Sequence, residues 1–273
     1  MKYQAICTDI DGTLLNGDRE LSARTIQSIK AFGAATPVIL ASSRMPAAMR
    51  HLQADLDVLG QPLICYNGGY VIGPGSSEFE VLHTAEIPLD ACRAALELTA
   101  GTEVHVSLYH ADEWHVPSMD YWALREENNT KVSPQVTPGQ AVMADWGARG
   151  IGAHKVMLMG PEEGIDRATE GLRSSFGNEL HLYRSRPTYL EIAHSSINKA
   201  TALQLLIDRL FPFEMGGVIA FGDNYNDIDL LEAAGWGVAV GNAKEEVKAV
   251  ANEISIPGKE DGVAVVLERL FHS

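Results

Sequence analysis

Short apolar runs alternate with amphipathic stretches over the first third of the chain. Residues 3–9 read as a strand that ends on Asp9. Residues 21–33 place Ile26, Ile29 and Phe32 on one helical face, with Ser22 as N-cap. TPVILA (36–41) is a continuous apolar strand, and Pro37 is tolerable at its start. Residues 45–56 are amphipathic again, and QPLICYNGG (61–69) is a third strand closed by a glycine turn. Strands and helices in this alternation predict a parallel sheet with helices on both faces.

The rhythm then changes. Residues 104–109 and 114–116 flank the turn residues HADE and predict a hairpin. A strand at 153–160 precedes a helix at 161–177, with Pro161 near its start and Gly177 just past its end. ELHLYRS and TYLEIA, separated by Arg186 and Pro187, predict a second hairpin. Hairpins with helices at longer spacing suggest an α+β domain with an antiparallel sheet, placed at 84–188. From NKATALQLLIDRL onward the first rhythm returns. One α/β core is therefore expected from 1–83 and 189–273, with a smaller α+β domain inserted at 84–188.

Composition narrows the class. The 273 residues suit two domains, and 46% apolar residues suffice for sizeable cores. No apolar run approaches the ~20 residues that span a bilayer, and two early aspartates break any signal-peptide pattern; the protein is read as cytoplasmic, with no membrane partner. Cys7, Cys65 and Cys92 are widely spaced in apolar surroundings and read as reduced core residues. A net charge of −15 without a basic run argues against nucleic acid as a partner. The sequence leaves a monomer or a small homo-oligomer open.

Four polar clusters fall at strand ends or helix starts, where parallel sheets bind ligands. They are Asp9 with Asp11; Ser42-Ser43-Arg44; Lys199; and GDNYND, with Asp223 closing a strand and Asp227 four positions on. Alternate residues of an extended segment point the same way, so Asp9 and Asp11 could share one site. Converging carboxylates repel unless a cation joins them, and a hard divalent ion such as Mg²⁺ suits oxygen ligands. Asp9 would then suit nucleophilic attack and Asp11 proton transfer. Ser42 offers a hydroxyl, the N–H groups around Ser43 offer donors to phosphate, and Lys199 supplies positive charge. Taken singly, each cluster also has an ordinary reading: an Asx-type turn, a helix cap, a solvated lysine, a strand–helix connection.

DIDGTLL, the Ser and Arg after the second strand, NGG after the third, the Lys in NKATAL and GDNYNDIDLL, in that order, resemble the haloacid dehalogenase-like hydrolases. The layout most resembles the Cof-type phosphatases, with a large cap between the second and third motifs. The resemblance implies a Rossmann-like parallel-sheet core, an inserted α+β cap and a Mg²⁺-dependent phosphatase working through an aspartyl-phosphate. By it, Asp9 is nucleophile and metal ligand. Asp11 is general acid/base and binds metal through its main-chain carbonyl, and Asp223 is a metal ligand. Asn226 and Asp227 contact phosphate or orient the metal shell, and Ser42 and Lys199 bind phosphate. Ser43 stands where relatives commonly carry glycine.

The implied substrate is a small phosphorylated metabolite of the sugar-phosphate or cofactor-phosphate class. A cap closing over the site would contact the leaving group, which makes His110, Trp114, Trp122, Trp146, Tyr183 and Arg184 candidates for specificity, although such residues more often pack cores. Two rival readings are a phosphotransferase or sugar phosphomutase using the same intermediate, and a non-catalytic phosphoaspartate switch.

Overall fold

A computed structural model describes residues 3–32, 36–75 and 79–271. The chain divides into two compact units, Met1–His83 with Asn198–Ser273, and Thr84–Ile197.

The first unit is built on an eight-stranded sheet. In spatial order its strands are Glu253–Ile254, Trp236–Ala239, Val218–Gly222, Ala5–Thr8, Val38–Ala41, Leu63–Cys65, Tyr70–Pro74 and Phe79–Thr84. From the first of these to Leu63–Cys65, neighbours pair in parallel. Strands buried on both faces need no alternation of apolar and polar residues, and AICT, VILA and VIAFG are buried throughout. One face packs Ala5, Cys7, Ile39, Ile64 and Ala220 against Leu203, Leu206, Ile207, Leu230 and Leu231 of two helices. The helices Ala23–Ala31 and Gly262–Phe271 are joined by Arg24 and Ser28, which donate to Glu268. The expected helix over 21–33 begins after its Ser22 cap, which accepts from Thr25 N, and is described to Ala31 and its C-cap Phe32; Gly33 lies outside the described residues.

Register places the polar clusters together. Thr8 sits opposite Phe221 on one side and Leu40 on the other. Asp9, Ser42 and Asp223 therefore follow the carboxyl ends of three adjacent parallel strands.

The second unit holds a six-stranded sheet in the order Leu180–Arg186, Tyr189–His194, Lys155–Met159, His105–His110, Glu113–Val116 and Gln135–Val136. All its pairings are antiparallel except the last. Val106, Leu108, Val156, Leu158, Leu190 and Ile192 face a core shared with three helices, Leu89–Thr99, Gly139–Arg149 and Glu162–Phe176. The boundary expected at 188 is corrected to 197. Tyr189–His194 pairs with both Leu180–Arg186 and Lys155–Met159, so residues 189–197 belong to the inserted unit. The amphipathic pattern announced the helix at 162–176 but not those at 89–99, 121–130 and 139–149. Cys7, Cys65 and Cys92 are all buried.

Candidate active site

The centre of the site is Lys199. Asn198 caps its helix, Lys199–Leu210, by accepting from Ala200 N and Thr201 N, which fixes where the first helical residue points. The Lys199 ammonium is buried and donates to Asp9 Oδ1 at 2.6 Å and Asp227 Oδ1 at 2.7 Å. The second oxygen of Asp227 accepts from the N–H groups of Asp223, at 3.0 Å, and Asn224, at 3.1 Å. Asp227 thus ties the loop after Val218–Gly222 to the lysine. Thr13 donates to Asp223 Oδ1 at 3.2 Å.

Carboxylate oxygens of Asp9, Asp223 and Asp227 lie within 4.8 Å of one another. Burial, reinforced by the charges of Asp227 and Asp223 and opposed by Lys199, raises Asp9 well above the usual carboxylate range. Burial, with the Asp227 charge, raises Asp223 to about 6. Burial alone would lower Lys199, but the two aspartates outweigh it and hold the ammonium charged. With a cation bound and all three acids ionised, the acids and the one ammonium would leave two negative charges. An all-oxygen donor set with that residual charge fits a hard divalent cation such as Mg²⁺. Gly12 supports the same reading. At φ +90°, its missing Cβ would stand 2.4 Å from Asp223 Oδ2, so only glycine lets this turn approach the carboxylate.

Asp11 departs from the sequence expectation. The strand ends at Thr8 and the chain coils at once, with Leu14 N and Leu15 N donating to Ile10 O, so the alternation rule does not extend to residue 11. The Asp11 carboxylate instead takes a two-pronged contact from buried Arg44, Nε to Oδ2 at 2.7 Å and a terminal nitrogen to Oδ1 at 2.9 Å. Arg19 adds a third contact at 2.7 Å. Asp11 is therefore absent from the group of clustered carboxylates.

Ser42 is buried, and its Oγ accepts from Arg44 N at 3.3 Å. Ser43 follows it, half-buried, in the same loop. Asn226 is exposed and donates from Nδ2 to Asn67 Oδ1 at 2.9 Å. The sequence places Arg44 in the second polar cluster without giving it a role, and it assigns none to Asn67. Their signal was their place in the Ser-Ser-Arg and Asn-Gly-Gly stretches after the second and third strands.

Among the cap candidates, Trp114 and Trp146 are core residues. Trp114 stacks on Tyr109 at 5.5 Å and donates to Ser107, and Trp146 donates to Glu113 at 3.0 Å. His110 Nδ1 bonds Gly152 O, Trp122 packs edge-on against Tyr189, and Arg184 pairs with Asp166. Tyr183 is half-buried on Leu180–Arg186.

Residues 6–267 match the family model of the haloacid dehalogenase-like hydrolases. The chain belongs to this family. It falls in the Cof-type branch, and its inserted α+β unit is the cap. It is 28% identical over 280 residues to 5-amino-6-(5-phospho-D-ribitylamino)uracil phosphatase YitU of Bacillus subtilis, covering 99% of this chain and 98% of that protein. It is 28% identical to pyridoxal phosphate phosphatase YbhA of Escherichia coli, covering 97% of each. A haloacid dehalogenase-like hydrolase from Bacteroides thetaiotaomicron has a crystal structure similar to it, with TM-score 0.87, 28% identity, and coverage of 99% of this chain and 100% of that one.

Proposed function

We propose that this hydrolase is a Mg²⁺-dependent phosphatase of small phosphorylated metabolites that works through a phosphorylated Asp9. The observation that carries the reading is the buried Asp9–Lys199 pair at the carboxyl ends of parallel strands, with Asp223 and Asp227 beside it. The named activities of the relatives above support phosphomonoester hydrolysis. Both names describe small phosphomonoesters, in keeping with the sugar-phosphate or cofactor-phosphate class.

The carboxylate of Asp9 attacks phosphorus and forms a P–O bond as the bond to the leaving oxygen breaks. Lys199 offsets charge on the phosphoryl oxygens, while the Ser42 hydroxyl and the N–H groups around Ser43 bind those oxygens and Asn226 contacts the phosphate. Asp11 gives its proton to the leaving oxygen, then takes one from water as that water displaces Asp9 and frees phosphate. Arg44 and Arg19 hold its carboxylate in place at rest, and the proton it donates is taken up from solvent. Asp9, Asp223 and the main-chain carbonyl of Asp11 would hold Mg²⁺, whose charge would stabilise the transferring phosphoryl group. Asp227 has both oxygens committed to Lys199 and backbone N–H groups, which suits orienting over ligation. Three buried cysteines, read as reduced thiols, are in keeping with a reducing, cytoplasmic setting.

Phosphate release across a panel of sugar and cofactor phosphates tests the reading. Release should require Mg²⁺, stop on chelation, and fall by about 10³-fold or more in Asp9→Asn. Turnover that survived both chelation and the substitution would refute it. An isomeric phosphate in place of free phosphate would indicate a mutase.

A further inference from the structure

The turn between Leu63–Cys65 and Tyr70–Pro74 places three successive residues at positive φ: Tyr66 at 52°, Asn67 at 57° and Gly68 at 106°. Two of them carry side chains, and such strain persists only where the surroundings over-determine it. The surroundings here are three of the four polar clusters. Tyr66 N donates to Arg44 O at 3.1 Å and Asn67 N to Ser42 O at 2.8 Å. A Cβ on Gly68 would lie 2.7 Å from Asn198 O, and Asn198 caps the helix that begins with Lys199. Asn67 Oδ1 accepts from Asn226 Nδ2 at 2.9 Å.

We infer that Tyr66–Gly68 is the positioning element of the phosphate site, and that Asn67 acts through its amide by holding Asn226. The inference rests on the proposed phosphatase reading, in which Asn226 contacts phosphate. The left-handed backbone points two consecutive N–H groups into the loop of Ser42 and Arg44. The same conformation turns the Asn67 side chain toward the loop of Asp223, and the absent side chain of Gly68 lets the helix cap come close. One short turn therefore sets the relative register of the serine loop, the lysine helix and the fourth cluster. Asn67 is a positioning residue; it acts on phosphate through Asn226.

Asn67→Gly separates backbone from side chain, because glycine keeps the left-handed conformation without strain and loses only the amide. In the Mg²⁺-loaded protein, Asn67→Gly should weaken inorganic phosphate binding, read by calorimetry, about tenfold, the scale of one net hydrogen bond. KM should rise by a similar factor while kcat changes less, and the thermal midpoint should hold. Asn226→Ala, which removes the phosphate contact itself, should lose at least as much, and the double variant should be no worse than Asn226→Ala alone. Asn67→Ala, which must bear the strain, should also lower the thermal midpoint. Wild-type phosphate affinity in Asn67→Gly, or losses that multiply in the double variant, would overturn the inference. Because phosphate binding is read without turnover, a wild-type protein that binds phosphate but hydrolyses no ester would count against the phosphatase reading alone.

Discussion

The ammonium of Lys199 lies 2.6 Å from Oδ1 of Asp9, although 190 positions separate the two residues in the chain. Both are buried, and Asp227 shares the same cation at 2.7 Å. A buried carboxylate that loses its partner is costly, because nothing else repays its desolvation.

Lys199→Met should therefore lower the unfolding free energy by about 3–5 kcal/mol, read from urea denaturation, and abolish phosphate release. Lys199→Arg should recover only part of either loss, since a planar fork does not fit a point between two carboxylate oxygens. A methionine variant with the wild-type denaturation midpoint would contradict the pairing.

Mg²⁺ should raise the thermal midpoint more at pH 7.5 than at pH 5.5. Asp223 titrates near 6, raised by burial and the Asp227 charge, and Asp9 is raised as well. Below that pH a metal must displace protons from its ligands, so its net affinity falls. Thermal scans with millimolar Mg²⁺ and with chelator at both pH values give the comparison, and equal stabilisation at each would count against these ligands.

Gly12→Ala should cost about 1–2 kcal/mol in stability from its left-handed backbone. It should also weaken Mg²⁺ binding, because the new Cβ would fall 2.4 Å from Asp223 Oδ2 and displace that carboxylate. Calorimetric titration with Mg²⁺ measures the second effect. Unaltered affinity would show that Asp223 does not set the metal site.

Arg44→Lys removes the two-pronged hold on Asp11. If Asp11 moves the proton, kcat should fall further for an alkyl phosphate than for p-nitrophenyl phosphate, whose leaving group needs little protonation. Equal losses for the two esters would assign Arg44 a role unrelated to proton transfer.

In the inserted unit, burial pushes Glu113 up, but hydrogen bonds from Arg149, Trp146 and His115 outweigh it and hold its carboxyl down at about 2. Its folded value lies below its ordinary 4.5. The network's contribution is therefore complete above about pH 4.5 and is lost as pH falls toward 2. Solvent screening limits it to about 1 kcal/mol. Unfolding free energies between pH 5 and pH 2.5 should decline less steeply in Glu113→Gln than in the wild type.

The sequence by itself determined the sheet rhythm and the four clusters. Continuous apolar runs such as VILA and VIAFG mark strands buried on both faces, and local pattern reports that burial directly. Asp9, Ser42 and Asp223 could be placed together because parallel strands present their carboxyl ends on one side. The helices at 89–99, 121–130 and 139–149 were not read from the sequence: 121–130 buries only Ala123 and is set by its cap, where Asp120 accepts from Trp122 N and Ala123 N, while 89–99 and 139–149 bury short stripes, Ala91, Cys92 and Ala95 and Val142, Met143 and Trp146, against the core. The end of the inserted unit was misplaced because strand partners are chosen by long-range pairing, and nothing local to 189–194 shows that its neighbours are 155–159 and 180–186. Tertiary structure alone decided the direction of Asp11. A two-residue spacing keeps side chains on one side only while the backbone stays extended, and here the chain coils after Asp9 and delivers Asp11 to Arg44. The glycine turn after the third strand was legible, but the positive φ of Tyr66 and Asn67 was not, because it is held by contacts to Arg44 O and Ser42 O from a distant loop.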